Sequence, residues 1–205
     1  MIFVTGGTGL VGSHILLHLT KSGDNFKALK RSNSSLKICK KVFSYYNLEK
    51  EFNRIHWVEG DINDISCLEE HIEGCSHVIH AAGLVSFEKK DRRRLKKINI
   101  EGTANIVNVS IGSGIKKLAY VSSTATLGRT FATSIIDEEC YFQPNKLESN
   151  YALSKYYAEQ EVWRASQEGL TVVIANPSVI LGPGDWTKGS SQIFQKAYNG
   201  LSFYT

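Results

Sequence analysis

The chain has 205 residues, 42% hydrophobic and 21% charged, with a formal net charge of +4. This is an ordinary globular composition, and no apolar stretch approaches the roughly 20 residues that a membrane-spanning helix needs. The four cysteines (Cys39, Cys67, Cys75, Cys140) form no CxxC pair, so neither a disulfide framework nor a metal site is expected, and reduced thiols in the cytoplasm fit best.

Strand and helix patterns alternate from the first residue. Met1-Ile2-Phe3-Val4 is a short apolar run that predicts a buried strand, with no leader before it. A helix follows from about Leu10 to Lys21 and stops near Gly23, and a second strand spans about Phe26–Leu29. A basic, serine-rich turn leads to a helical segment holding Val42, Phe43, Tyr45 and Tyr46. Strand three is expected over about Arg54–Glu59, a short helix over Ile65–Ile72 and strand four over His77–His80, where both histidines read as packing residues. The basic run Lys89–Lys97 opens a long helix, about Arg93–Ser110; without interleaved aromatics it reads as a solvated face, not a nucleic-acid surface. Strand five is about Leu118–Val121, a helix covers about Tyr151–Gln167 and strand six is about Thr171–Ala175. The stretch Ala125–Ser149 reads as a long irregular connector, and long connectors are usually functional. A last helix spans about Ser190–Tyr198, before the apolar tail Leu201–Thr205. Alternating elements of this kind predict an α/β fold with a doubly wound parallel sheet and helices on both faces.

Between the first strand and helix stands Thr5-Gly6-Gly7-Thr8-Gly9-Leu10-Val11-Gly12. Strand, glycine turn, helix is the context in which such a motif binds a dinucleotide. Gly6 permits the tight turn, Gly9 lets the backbone approach the pyrophosphate, and Gly12 lets helix and strand pack closely. The helix N-terminus then offers N–H groups and partial positive charge to the phosphates. An NAD-selective site would put Asp or Glu at the end of strand two, but here Lys30-Arg31-Ser32 occupies that place. A guanidinium can pair with a 2′-phosphate through parallel hydrogen bonds, so the sequence points to NADP, with Arg31 as main contact and Ser32 and Lys37 as lesser ones. The alternative is a solvated strand end. Asp61 and Ile62 follow strand three, at the sheet edge where ligands bind, and could meet the adenine; Asp61 serves equally well as a helix cap. Ala81, Ala82 and Gly83 end strand four, where bulk would block the cofactor.

Tyr151 and Lys155 are four residues apart on one helix face. An ammonium beside a phenol favours the phenolate, so the pair can move a proton to or from a carbonyl oxygen while a nicotinamide moves hydride. Thr124 ends strand five and could hydrogen-bond the substrate oxygen as charge develops.

TGGTGLVG, Gly60-Asp61-Ile62, HAAG (His80–Gly83), NIEGT (Asn99–Thr103), VSSTAT (Val121–Thr126), YALSK and NPSVILGPG (Asn176–Gly184) occur in the order and spacing of the extended short-chain dehydrogenase/reductase family, which the chain resembles over nearly its whole length. The resemblance implies a Rossmann-type fold, Tyr151 as acid–base, Lys155 as its activator and ribose anchor, and Thr124 as substrate-oxygen donor. It further implies a structural or proton-relay role for Asn99, an adenine contact for the Asp61-Ile62 pair, and a place beside the nicotinamide for Pro177 and Ser178. Thr124 replaces the family's commoner serine, which preserves a hydroxyl. Asn176 stands where many sugar-nucleotide epimerases carry arginine; with Arg31, this favours the dihydroflavonol-reductase-like branch of the epimerase/dehydratase group. Much of the family's substrate-binding region would lie beyond Thr205, so residues 1–205 are expected to be one NAD(P)-binding domain, the front portion of a longer protein. The family often dimerises through the helices that here contain Asn99 and Tyr151.

Three functions compete. The leading one is an NADP-dependent reductase of a ketone or aldehyde, acting on a small-molecule substrate without membrane or nucleic acid. The second is a nucleotide-sugar epimerase or dehydratase with tightly held NAD. The third is a non-catalytic nucleotide-sensing or interaction protein, which the retained Thr124, Tyr151 and Lys155 argue against.

Overall fold

The computed structural model describes residues 1–128, 135–145, 148–187 and 189–200; the apolar tail Leu201–Thr205 lies outside them. Six parallel strands form one sheet: β1 (Ile2–Thr5), β2 (Phe26–Lys30), β3 (His56–Glu59), β4 (His77–His80), β5 (Lys117–Val121) and β6 (Thr171–Ala175). Their order is β3-β2-β1-β4-β5-β6. The chain works outward from β1 to β3, crosses back to β4 and works outward again to β6. The reversal falls between β1 and β4, which pair from Ile2 opposite His77 to Thr5 opposite His80. A crevice at the carboxyl end of such a switch point is where open α/β sheets bind ligands.

Alternation along each strand divides the core in two. Val4 and Ala28 face a layer built with Leu16, Leu17, Val42 and Phe43, from α1 (Leu10–Ser22) and α2 (Lys37–Tyr45). Phe3, Val78, Leu118 and Tyr120 face the opposite layer with Leu68, Ile106, Val107, Ala158 and Val162. Those residues come from α4 (Ile65–Ile72), α6 (Gly102–Gly112) and α7 (Asn150–Gln167), α3 being the short Glu49–Phe52 helix before β3. At the β6 edge only Val172 and Ile174 pack on this core, while Val173 on the other face is 51% exposed.

Three elements differ from the sequence reading. Strand three starts at His56, because Arg54 and Ile55 are held in the turn that follows α3. The helix expected over Arg93–Ser110 begins earlier, as a 3₁₀ turn (Lys89–Asp91) and α5 (Arg92–Leu95), and widens into a π-turn over Lys96–Glu101 before α6. A π-turn accommodates one extra residue, and such turns are frequent at functional sites. It sets Asn99 inward at 1% exposure. The basic run itself is solvated, with Arg94 on Asp91 and Lys96 on Glu101. The connector after β5 is not wholly irregular: Thr124–Thr126 form a 3₁₀ turn. Among the described residues no helix is long and apolar enough to cross a membrane.

Candidate active site

The glycine turn runs from β1 into α1. Gly6 has φ +78°, and a Cβ there would come within 2.4 Å of the Ala81 backbone. Gly12 is tighter still, since its Cβ would lie 2.0 Å from the Gly6 carbonyl oxygen, so helix and strand approach only because that side chain is absent. Gly9 is different. Its Cβ would meet nothing nearer than the Gly6 oxygen at 3.5 Å, so its surface is open. Gly9 is also the N-cap of α1, no side chain caps the helix, and its first turn has no acid. Thr8, Leu10 and Val11 complete a rim of backbone donors at the positive end of a 13-residue helix. Uncapped donors around an open glycine surface fit a pyrophosphate.

At the β2 end, Lys30 is paired with Glu59 of β3 at 3.2 Å. Arg31, Ser32 and Lys37 are exposed, and the Arg31 guanidinium has no partner among the described residues. Lys30 is thus already paired with an acid, while the neighbouring Arg31 is available.

Asp61 does not cap α4. That role belongs to Asp64, whose carboxylate accepts the Cys67 N–H; Asp61 instead accepts the N–H and side-chain amide of Asn63, both at 2.9 Å. The Ile62 side chain is buried against Gly102 of α6, and its carbonyl accepts the Asn105 amide at 3.1 Å. Ala81 and Ala82 are tied to β1: the Ala81 N–H donates to the Thr5 carbonyl and the Ala82 N–H to the Thr5 hydroxyl. Gly83 is exposed beside Asn99.

The residues expected to do acid–base work belong to the same sheet edge. Tyr151 sits in the first turn of α7, which Ser149 caps by accepting the Ala152 N–H. Its ring meets Phe87 edge-on at 5.6 Å. Lys155, 5% exposed, donates to the Tyr120 hydroxyl at 2.5 Å and the Val121 carbonyl at 2.9 Å. Burial brings its pKa down to about 7, with the Glu159 carboxylate opposing the fall. Thr124 is exposed on its 3₁₀ turn, and its N–H donates to the Pro177 carbonyl, which fastens the turn to the Pro177-Ser178 segment after β6. Asn99 joins two other parts. Its oxygen accepts the Leu84 N–H at 2.7 Å, and its amide donates to the Leu84 carbonyl and to Ser154 of α7. Every hydrogen-bonding capacity used here is structural, which favours bracing over proton relay.

Several contributors escaped the sequence reading. His80 is fully buried, yet more than a packing residue: Nδ1 lies 2.6 Å from the Thr5 hydroxyl and Nε2 3.0 Å from the Thr103 hydroxyl. The Thr5 hydroxyl also accepts the Ala82 N–H, which leaves its own proton available to Nδ1; in that tautomer Nε2 carries the imidazole hydrogen toward Thr103. Burial, aided by the Lys155 charge, takes the His80 pKa down to about 3 and keeps the ring neutral. The Tyr120 phenol is likewise raised by burial and stays neutral. Glu159 was also missed, though it repeats the four-residue step from Tyr151 to Lys155. Among the described residues no group of three His, Cys, Asp or Glu could hold a metal, and all four cysteines are free.

This arrangement agrees with what the chain matches. The model of the NAD dependent epimerase/dehydratase family matches residues 2–202. A Synechocystis sp. protein provisionally named dihydroflavonol 4-reductase is 38% identical over 183 residues, covering 89% of this chain and 50% of that protein. Cinnamoyl-CoA reductase 1 of Petunia hybrida is 25% identical over 190 residues, covering 89% and 55%. Among solved structures, gox2253 is 28% identical with a TM-score of 0.81, over 98% of this chain and 58% of that one. A short-chain dehydrogenase/reductase superfamily protein from Agrobacterium tumefaciens, solved with bound NAD, shares the fold at 24% identity and a TM-score of 0.68, over 86% of this chain and 48% of that one. The chain spans about half the length of the curated relatives it matches. With the glycine turn, the Tyr151–Lys155 step and the reversal of strand order in place, the match over residues 2–202 shows that the chain belongs to the NAD-dependent epimerase/dehydratase family.

Proposed function

We propose that residues 1–205 form the cofactor-binding and acid–base portion of an NADP-dependent oxidoreductase that reduces a ketone or aldehyde, or oxidises the corresponding alcohol. The observation that carries the choice of cofactor is the pairing of Lys30 with Glu59, which leaves Arg31 as the unpaired cation at the β2 end. Arg31 would pair with the 2′-phosphate, with Ser32 and Lys37 beside it, while the Gly9 turn and α1 take the pyrophosphate. Asp61 and the Ile62 backbone border the adenine, and Ala81, Ala82 and Gly83 leave room for the sugar. The bound nicotinamide supplies hydride chemistry. The Thr124 hydroxyl would steady the substrate oxygen, and the Tyr151 phenol would give it a proton. Lys155, held over the sheet edge by Tyr120 and Val121, would lower the cost of phenolate and anchor the ribose. Pro177 and Ser178 would flank the nicotinamide. A longer parent protein supplying the rest of the substrate pocket, a homodimer and a cytoplasmic setting go with this reading.

The second reading, an NAD-dependent nucleotide-sugar epimerase or dehydratase, is favoured by the family's breadth: UDP-glucose 4-epimerase of Thermotoga maritima shares the fold at a TM-score of 0.68. Fluorescence titration of NADPH and NADH against wild type and Arg31→Ala separates the two. The reductase predicts tight NADPH binding that Arg31→Ala weakens by about 10- to 100-fold, the size of a lost charge-assisted pair. Preference for NADH, or NAD⁺ that cannot be removed, moves the assignment to the sugar enzyme. Binding of neither cofactor leaves the non-catalytic reading.

A further inference from the structure

Glu159 lies one helical turn beyond Lys155 on α7 and is 8% exposed. Its Oε2 accepts from the Ser122 hydroxyl at 2.5 Å, the Thr126 hydroxyl at 2.8 Å and the Asn176 amide at 2.9 Å. Its Oε1 accepts the Trp163 indole N–H at 3.2 Å. A buried carboxylate is costly unless hydrogen bonds replace its water, and here four groups do so, the Thr126 hydroxyl sharing its one proton with the Ser123 carbonyl. Three of them come from outside α7. Ser122 and Thr126 bracket Thr124, and Asn176 precedes Pro177. One carboxylate therefore holds the substrate-facing turn, the end of β6 and the acid–base helix together. All four donors are neutral. The amide of Asn176 reaches Glu159 without bringing a cation, and Lys155 lies one turn away on the same helix.

We propose that Glu159 is the positioning residue of this site, aligning the Thr124 turn and the Pro177 segment on α7 and serving as the counter-charge of the Lys155 ammonium. The inference rests on the assignment of Tyr151 and Lys155 to acid–base work, but it concerns only residues of this chain. The ionisable groups facing Lys155 are Glu159 and Tyr151 on α7, Tyr120 on β5 and His80 on β4; His80 is neutral and Tyr120 protonated. Glu159 is the one that favours protonated lysine, against the burial that disfavours it. Removing its charge must make Lys155 lose its proton at lower pH.

The test is a cofactor-free titration of the full-length protein carrying ¹³C-labelled lysine, with the Lys155 signal assigned through Lys155→Met. Glu159→Gln is expected to lower the Lys155 midpoint by on the order of one pH unit. It is also expected to speed hydrogen exchange of the Thr124 N–H about tenfold, because that amide is protected by the turn's bond to Pro177. Thr126→Val, which removes a donor and leaves the carboxylate, should speed the exchange and leave the midpoint near that of wild type. If Glu159→Gln does not fold, Asn176→Arg reads the same charge, since a guanidinium beside Glu159 neutralises it and should also lower the midpoint. An unmoved midpoint in a folded variant overturns the counter-charge role, and unmoved exchange at Thr124 overturns the positioning role. Failure of NADPH binding, by contrast, touches only the functional reading above.

Discussion

The Lys155 ammonium donates to the Tyr120 hydroxyl across 2.5 Å, from α7 onto β5. The lysine is thus fixed by the sheet. Tyr120→Phe keeps the ring that stacks on His80 at 5.5 Å but removes the acceptor. The expected result is a loss of about 1–3 kcal/mol in urea unfolding, the cost of a buried donor left unsatisfied. The Lys155 pKa should also fall below about 7, because the lost bond favoured the charged form. A variant as stable as wild type would mean that the Val121 carbonyl alone suffices.

Gly9 and Gly12 make opposite predictions from one motif. Gly12→Ala drives a methyl to 2.0 Å from the Gly6 oxygen, so the α1–β1 contact must open and the midpoint of thermal unfolding should drop by several degrees. Gly9→Ala puts its methyl in ordinary contact at 3.5 Å, so the fold should survive while NADPH affinity falls at least tenfold. Calorimetry and a binding titration on the two variants check the contrast. Gly9→Ala binding like wild type would remove the pyrophosphate from this surface.

His80 gives the protein an acid sensitivity with a defined window. Its pKa is depressed from 6.5 to about 3, so between those values the unfolded chain binds a proton that the folded chain refuses. Stability therefore rises with pH across the window and is lost as pH falls from about 6.5 toward 3, at up to roughly 1.4 kcal/mol per pH unit. Lys155 acts in the same sense higher up: its folded pKa near 7 lies below its ordinary 10.5, so stability also declines as pH falls from about 10.5 to 7. Urea unfolding between pH 4 and 6.5 on wild type and His80→Gln measures the first effect. The variant should show the flatter profile.

Asn99→Ala removes three buried hydrogen bonds at once, two to Leu84 and one to Ser154. The expected cost is about 2–4 kcal/mol, with the loop after β4 losing amide protection before the rest of the sheet. Asn99→Asp is the sharper probe. It can still accept the Leu84 N–H but cannot donate to Ser154, and it buries a charge, so it should be no more stable than the alanine variant. If Asn99 were a relay and not a brace, both variants would unfold like wild type.

Legibility from sequence followed the length scale of the signal. The glycine turn, the Tyr151–Lys155 step and the six strands were readable because each rests on local spacing, and the parallel order follows from alternating elements. Arg31 could be proposed from the sequence because its meaning depends on distance along the chain from the glycines. The π-turn was not, because Lys96–Glu101 has no local breaker; it forms where Asn99 is drawn inward by Leu84 and Ser154, fifteen and fifty-five residues away. Glu159 was hidden for the same reason. Its partners Ser122, Thr126 and Asn176 come from two other strand ends. His80 looked like packing because the strand pattern shows burial and not the two threonines that flank it.

The π-turn also sets a phase. A helix advances about 100° per residue, so the extra residue within Lys96–Glu101 rotates everything before it by that angle relative to α6. Deleting one residue there would let the backbone relax into continuous α-helix and would swing the segment Lys89–Leu95 to a new face. Leu95, now 1% exposed, would leave the core, and arginines that face water would turn inward. A one-residue deletion in this stretch should therefore be far more damaging than a point substitution at any of its exposed lysines, because it changes the address of every side chain upstream.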